Sequence, residues 1–204
     1  MMQFYLHKPM MLTLLRLIIA PLLLPALLVI FLPFNCLMSN LALAALFLLF
    51  SFTDFLDGYY ARKYNQVTRI GSALDHIADK FLTFSTFIAL LVVGRIWFFW
   101  PIVFIGRDFF VMGLRIIALE NNKPLPVDFL GKLKTAVQMM LITFLIVNPY
   151  QHDTTAYWAR HIEISLLSAA VILTLLSAYN YYTSCMVAFG QNLFAQLEKQ
   201  DEQQ

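Results

Sequence analysis

Charge is scarce in this chain. Asp, Glu, Lys and Arg make up 13% of its 204 residues, hydrophobic residues make up 60%, and the mean hydropathy is +0.71. A soluble domain of this size carries about one quarter charged residues, so the composition excludes an ordinary water-soluble fold and points to a single domain in lipid. A basic run is also missing, and the net charge of +2 gives no footprint for nucleic acid. With two cysteines only, Cys36 and Cys185, there is no disulfide framework. No repeat or low-complexity segment is evident. A cleavable leader is not expected either: the apolar stretch after Lys8 runs from Pro9 to Pro33, beyond the roughly 7–15 residues of a signal-peptide core.

What is present is a series of long apolar stretches. A helix needs about 20 residues to cross a hydrocarbon core of roughly 30 Å, and six stretches meet or approach that length, near 10–32, 38–61, 72–94, 98–119, 131–149 and 162–184. Polar or proline-containing breaks separate them. Trp97, Trp100, Tyr150, Tyr157 and Trp158 fall at the ends of stretches, where interfacial aromatics collect. Lys8, Arg62, Lys63, Arg69, Lys123, Lys132, Lys134 and Lys199 fall on the side of the N-terminus, against Arg95 and Arg160 on the other. Positive residues stay in the cytoplasm, so both termini are expected there. The reading is an all-α integral membrane bundle of six transmembrane helices over residues 1–190, with a polar tail at 191–204 forming a frayed or surface helix.

One segment of this apolar chain is crowded with acids. Asp54 and Asp57 close the second stretch at i,i+3, and Asp75 and Asp79 open the third at i,i+4; each pair shares a helix face. Four carboxylates near an apolar bilayer repel one another unless neutralised. Hard oxygen donors of this kind suit Mg²⁺ or Mn²⁺, as one ion or two. A salt-bridge knot with Arg62, Arg69 and Lys80 is the structural alternative, and a divalent-metal transporter the functional one. Transporters, however, favour midplane sites and internal symmetry, neither of which is seen here.

The same segment fits D-x-x-D-G-x-x-A-R-x8-G-x-x-x-D-x-x-x-D at Asp54, Asp57, Gly58, Ala61, Arg62, Gly71, Asp75 and Asp79. In this it resembles the CDP-alcohol phosphatidyltransferases, a six-helix membrane family with its active site at the cytoplasmic side. The resemblance implies that Asp54, Asp57, Asp75 and Asp79 hold two metal ions and that Asp79 is also the catalytic base. It further implies that Gly58, Ala61, Arg62 and Thr68 bind CDP-diacylglycerol. Close helix packing is a second use for the small residues.

The acceptor is signalled further along the chain. Arg107 and Arg115 lie eight residues apart on the fourth stretch, about 80° apart around a helix, and Lys132 and Lys134 open the fifth. Cations placed so suggest an anionic acceptor, although Arg107 paired with Asp108 and lysines acting as membrane anchors would be the plainer reading. The wording Arg107-Asp108 … Gly113-Leu114-Arg115, then Leu130-Gly131-Lys132-Leu133-Lys134-Thr135-Ala136, is similar to that of the bacterial phosphatidylglycerophosphate synthases within the family. That likeness implies glycerol 3-phosphate as acceptor, with Arg107, Arg115, Lys132 and Lys134 on its phosphate, in the inner membrane, and a homodimer is the family expectation. Inositol phosphate, phosphatidylglycerol or an amino alcohol are the acceptors left open. His76 and Gly106 depart from the commonest family wording, which has proline and alanine there.

Overall fold

The structure, a computed structural model, describes the backbone of residues 8–63, 69–120, 129–148 and 157–201, and the side chains of 19–52, 80–118, 129–148 and 157–187. Among the described residues every regular element is helical and there is no strand. The helices are α1 (Lys8–Phe31), α2 (Leu37–Lys63), α3 (Arg69–Val92), α4 (Phe99–Glu120), α5 (Phe129–Val147) and α6 (Tyr157–Asp201), with a 3-10 turn at Leu32–Phe34 after α1. Two of them, over Phe129–Val147 and Tyr157–Val187, are long and apolar enough among the described residues to cross a membrane.

The six apolar stretches therefore correspond to six helices. The polar tail expected as a frayed or surface helix is helical as far as Asp201 and continuous with α6, which runs without a break from Tyr157 to Asp201, 45 residues, or about 68 Å at 1.5 Å per residue. After Gly190 the sequence holds neither proline nor glycine, and Leu193, Ala195, Gln196, Leu197, Glu198 and Lys199 are good helix formers. Nothing local ends the helix where its apolar part stops.

The chain divides into two compact units, Met1–Pro101 with Ile142–His161, and Ile102–Leu141 with Ile162–Gln204. In the first unit α1 packs along α3, and Leu24, Leu28, Phe87 and Leu90 are fully buried. Helix α3 ends in a Schellman motif: Gly94 adopts φ +79, its N–H donates to the Leu91 carbonyl at 3.0 Å, and the Arg95 N–H donates to that of Leu90 at 2.8 Å. Only glycine takes that backbone without penalty. The motif places Arg95 at the helix end, where its guanidinium donates to Asn35 Oδ1 at 2.8 Å and to the Asn148 carbonyl. Asn35 is itself in the left-handed region, φ 53, closing the turn after α1. One buried arginine thus ties the ends of α1, α3 and α5.

In the second unit the usual arrangement of a soluble helix is inverted. Helix α4 exposes Ile102, Phe109, Phe110 and Ile116 while it buries Phe104, Asp108, Val111, Leu114 and Ala118. Helix α6 exposes Ile172, Leu175, Leu176 and Tyr179 and buries Ala170, Thr174, Ser177, Tyr181 and Cys185. Polar groups face inward and large apolar ones outward, which suits lipid and would be an aggregation hazard in water. Hydroxyls in the apolar helices bond to their own helix: Thr135 Oγ1 donates to Gly131 O at 3.0 Å and Thr174 Oγ1 to Ala170 O at 2.6 Å.

Candidate active site

The aspartate motif divides between two helices of the first unit. Asp54, Asp57, Gly58, Ala61 and Arg62 lie on α2, and Asp75 and Asp79 lie on α3. Both stretches are continuous helix, so the i,i+3 and i,i+4 spacings keep each acid pair on one face. The side chains of the four aspartates, Ala61 and Arg62 lie outside the described residues, as does that of His76, and so does Thr68 altogether. Among the described residues no cluster of acids, histidines and cysteines could hold a metal. The donors of the motif are another matter. Four carboxylates at helical spacing supply the hard oxygens that Mg²⁺ or Mn²⁺ requires, and that chemistry fits the metal expected.

The four cations proposed for the acceptor, Arg107, Arg115, Lys132 and Lys134, lie among the described side chains, and all belong to the second unit. Lys134, on α5, is fully buried, and its Nζ donates to Asp108 Oδ1 at 2.7 Å. The same carboxylate oxygen takes Arg107 Nη1 at 2.9 Å, and Arg107 Nη2 donates to Ser177 Oγ on α6. Asp108 is thus shared by two cations, which explains how a charged side chain with 3% exposure is tolerated on an apolar helix. Arg115, two turns along α4, has no acid within ion-pair reach among the described residues. Its Nη2 donates to the neutral Tyr181 hydroxyl at 2.6 Å. The Tyr181 ring lies beside both arginines, its centroid 5.7 Å from Arg107 Cζ and 5.1 Å from Arg115 Cζ, at the range of cation–π attraction.

Arg107, Arg115 and Lys134 are therefore brought into one connected set, while Lys132 is exposed and takes no part in those bonds. Among the described residues, the three cations of this set have one carboxylate between them, that of Asp108. The Nε atoms of Arg107 and Arg115 are both buried without a hydrogen-bond partner among the described residues, where Arg115 meets a phenol and no acid. Buried donors left unmade cost more than made ones contribute, so the arrangement suits an anion. Gly106, where alanine is commoner, has nothing within 4 Å of the position a Cβ would take, so that departure is structurally neutral.

Sequence reasoning missed Ser177 and Tyr181. They lie four residues apart, and with Ala170, Thr174 and Cys185 they form the buried face of α6. That small-and-polar stripe on an otherwise apolar helix is legible in the sequence, but nothing in its spacing says which cations it meets.

Comparison with known proteins adds the chemistry. The family model described as CDP-alcohol phosphatidyltransferase matches residues 6–189. A Rickettsia typhi protein is 35% identical over 165 residues, covering 81% of this chain and 91% of its own length. One from Bacillus subtilis is 34% identical over 145 residues, covering 71% and 74%. One from Shigella flexneri serotype 5b is 33% identical over 190 residues, covering 90% and 96%. All three are named CDP-diacylglycerol–glycerol-3-phosphate 3-phosphatidyltransferase. With the aspartate motif on two helices and the match running nearly end to end, the chain belongs to the CDP-alcohol phosphatidyltransferase family.

Proposed function

We propose that this protein is a multi-pass membrane enzyme that transfers the phosphatidyl group from CDP-diacylglycerol to glycerol 3-phosphate, forming phosphatidylglycerophosphate and CMP in phospholipid biosynthesis. The names and coverage of the relatives support the reaction. The observation that carries the choice of acceptor is the set formed by Arg107, Arg115 and Lys134, in which Arg115 has only a neutral partner among the described residues. A neutral alcohol gives such a set nothing to hold; a phosphate monoester does.

In this reading Asp54, Asp57, Asp75 and Asp79 hold Mg²⁺ or Mn²⁺, which when bound neutralises the pyrophosphate and the leaving group. Arg62 offers its fork of donors to a phosphate, and Gly58 and Ala61 leave room for the nucleotide, with Thr68 beside it. Asp79 accepts the proton of the acceptor hydroxyl. That oxygen attacks the phosphorus that carries diacylglycerol, the anhydride bond breaks, and CMP departs with the bonding electrons. Arg107, Arg115 and Lys134 hold the acceptor's phosphate by charge-assisted bonds, and exposed Lys132 adds positive potential on the same helix.

Six spans support the membrane placement. Each of α1 to α6 has at least 19 residues, enough or nearly enough for a crossing. An even number returns both termini to one side, and the lysine and arginine bias makes that side cytoplasmic, together with the aspartate motif. The experiment is direct: purified protein given CDP-diacylglycerol and glycerol 3-phosphate should release one CMP per phosphatidylglycerophosphate formed. CMP release that ignores glycerol 3-phosphate would contradict the reading.

A further inference from the structure

We infer that Tyr181 on α6 is a positioning residue for the acceptor, setting both arginine side chains to receive the phosphate, with Ser177 one turn earlier acting on Arg107 in the same way. The inference rests on the reading that these cations bind the acceptor's phosphate.

Arg107 and Arg115 are separated by eight residues on α4, about 12 Å along the axis and 80° around it. Left alone, two long side chains so placed would spread apart by charge repulsion and by rotamer entropy. One aromatic ring meets both. Its face region attracts each guanidinium at 5.7 and 5.1 Å, and its hydroxyl takes Arg115 Nη2 at 2.6 Å. Arg107 is fixed at its other nitrogens by Asp108 and Ser177. These bonds consume the terminal nitrogens they use and leave the two Nε donors buried and, among the described residues, unmatched.

The ring is held as firmly as it holds. Tyr181 is 3% exposed and packs with Val111, Leu114 and Cys185, so it has little room to turn. Across from it, Gly131 on α5 brings backbone close: a Cβ there would stand 3.6 Å from Tyr181 Cε2 and 3.6 Å from Ser177 Oγ. A methyl group fits at that distance, but a larger side chain would press on both residues. The sequence wording picks out the cations on α4 and α5; the partners that aim them come from α6.

The test uses full-length protein in detergent–lipid micelles, with KM measured separately for glycerol 3-phosphate and CDP-diacylglycerol, alongside thermal unfolding. Tyr181→Phe keeps the ring and removes the acceptor oxygen of Arg115; it should raise the KM for glycerol 3-phosphate about three- to tenfold with that for CDP-diacylglycerol held within about twofold. Tyr181→Leu removes the ring as well and should raise it further. Ser177→Ala should move the same KM in the same direction. The Arg115→Gln variant serves as reference. If it raises the KM for glycerol 3-phosphate while Tyr181→Phe and Ser177→Ala do not, the positioning role is overturned and the phosphate reading stands. If none of the variants moves that KM, both fall. Equal changes in the two KM values, tracking lost thermal stability, would make Tyr181 a packing residue only and overturn the inference.

Discussion

Lys134 and Asp108 form an ion pair at 2.7 Å with side-chain exposures of 0% and 3%, and Asp108 holds Arg107 as well. A pair closed off in this way depends on both partners, because a buried charge without its counterion loses solvation and gains nothing. Asp108→Ala takes the shared acid from two cations and should cost about 3–5 kcal/mol. Lys134→Met should cost less, since Arg107 still faces the carboxylate. Thermal or denaturant unfolding in micelles would rank the two variants; a larger loss for Lys134→Met would contradict this account of the network.

Arg95 is predicted to matter for stability alone. Its guanidinium joins Asn35 and the Asn148 carbonyl at the ends of three helices, and hydrogen bonds from charged donors contribute about 1.5–3 kcal/mol each. Arg95→Met should lower the unfolding temperature clearly while both substrate KM values stay within about twofold. A selective change in either KM, in protein that unfolds normally, would give Arg95 a part in the reaction that the fold does not assign.

Cys36 provides a reporter for topology. It is exposed in the connection between α1 and α2, whereas Cys185 is buried. Its thiol is held below the ordinary value by the backbone N–H groups of Ser39 and then Met38, with the Ser39 side chain assisting. The thiolate, the reactive form, therefore becomes populated at lower pH than in a free cysteine. A membrane-impermeant maleimide should label intact cells at Cys36 from outside, with a rate that rises as pH climbs toward the lowered pKa and levels off above it. A fusion after Gln204 should report the cytoplasm. Labelling of Cys36 only in inverted vesicles would reverse the proposed orientation.

The proposed metal site, four carboxylates on α2 and α3, predicts a metal requirement. EDTA should abolish turnover, and Mg²⁺ or Mn²⁺ should restore it. Asp54→Asn and Asp75→Asn should each fold and lose metal-dependent activity. Asp79→Asn should retain CDP-diacylglycerol binding and lose about 10²–10⁴ in rate, or more, since the amide cannot take the hydroxyl proton. Full activity in excess chelator would exclude this chemistry.

The helices were legible in the sequence because long apolar stretches leave little choice: backbone groups in lipid must be satisfied within the segment. The breaks between stretches were legible from their polar and proline residues, and the structure turns the chain at Asn35 and Gly94, both in the left-handed region. The continuity of α6 past Gly190 was less legible, since a change in polarity does not by itself end a helix. In the candidate site, spacing marked the acids and the cations, because charge on an apolar helix is costly enough to stand out. The roles of Ser177 and Tyr181 were hidden. A tyrosine on an apolar helix signals nothing by itself, and its meeting with two arginines on another helix is a tertiary fact.

The central claim is that the acceptor is recognised through its phosphate, and an acceptor panel tests it most directly. Purified protein with CDP-diacylglycerol and Mg²⁺ would be given glycerol 3-phosphate, glycerol, inositol and inositol phosphate in turn, with CMP and the lipid product measured together. The account predicts equimolar CMP and phosphatidylglycerophosphate with glycerol 3-phosphate, and no turnover with glycerol or free inositol. Turnover with free glycerol as fast as with glycerol 3-phosphate would contradict recognition by Arg107, Arg115 and Lys134. Turnover with inositol phosphate but not with glycerol 3-phosphate would overturn the choice of acceptor.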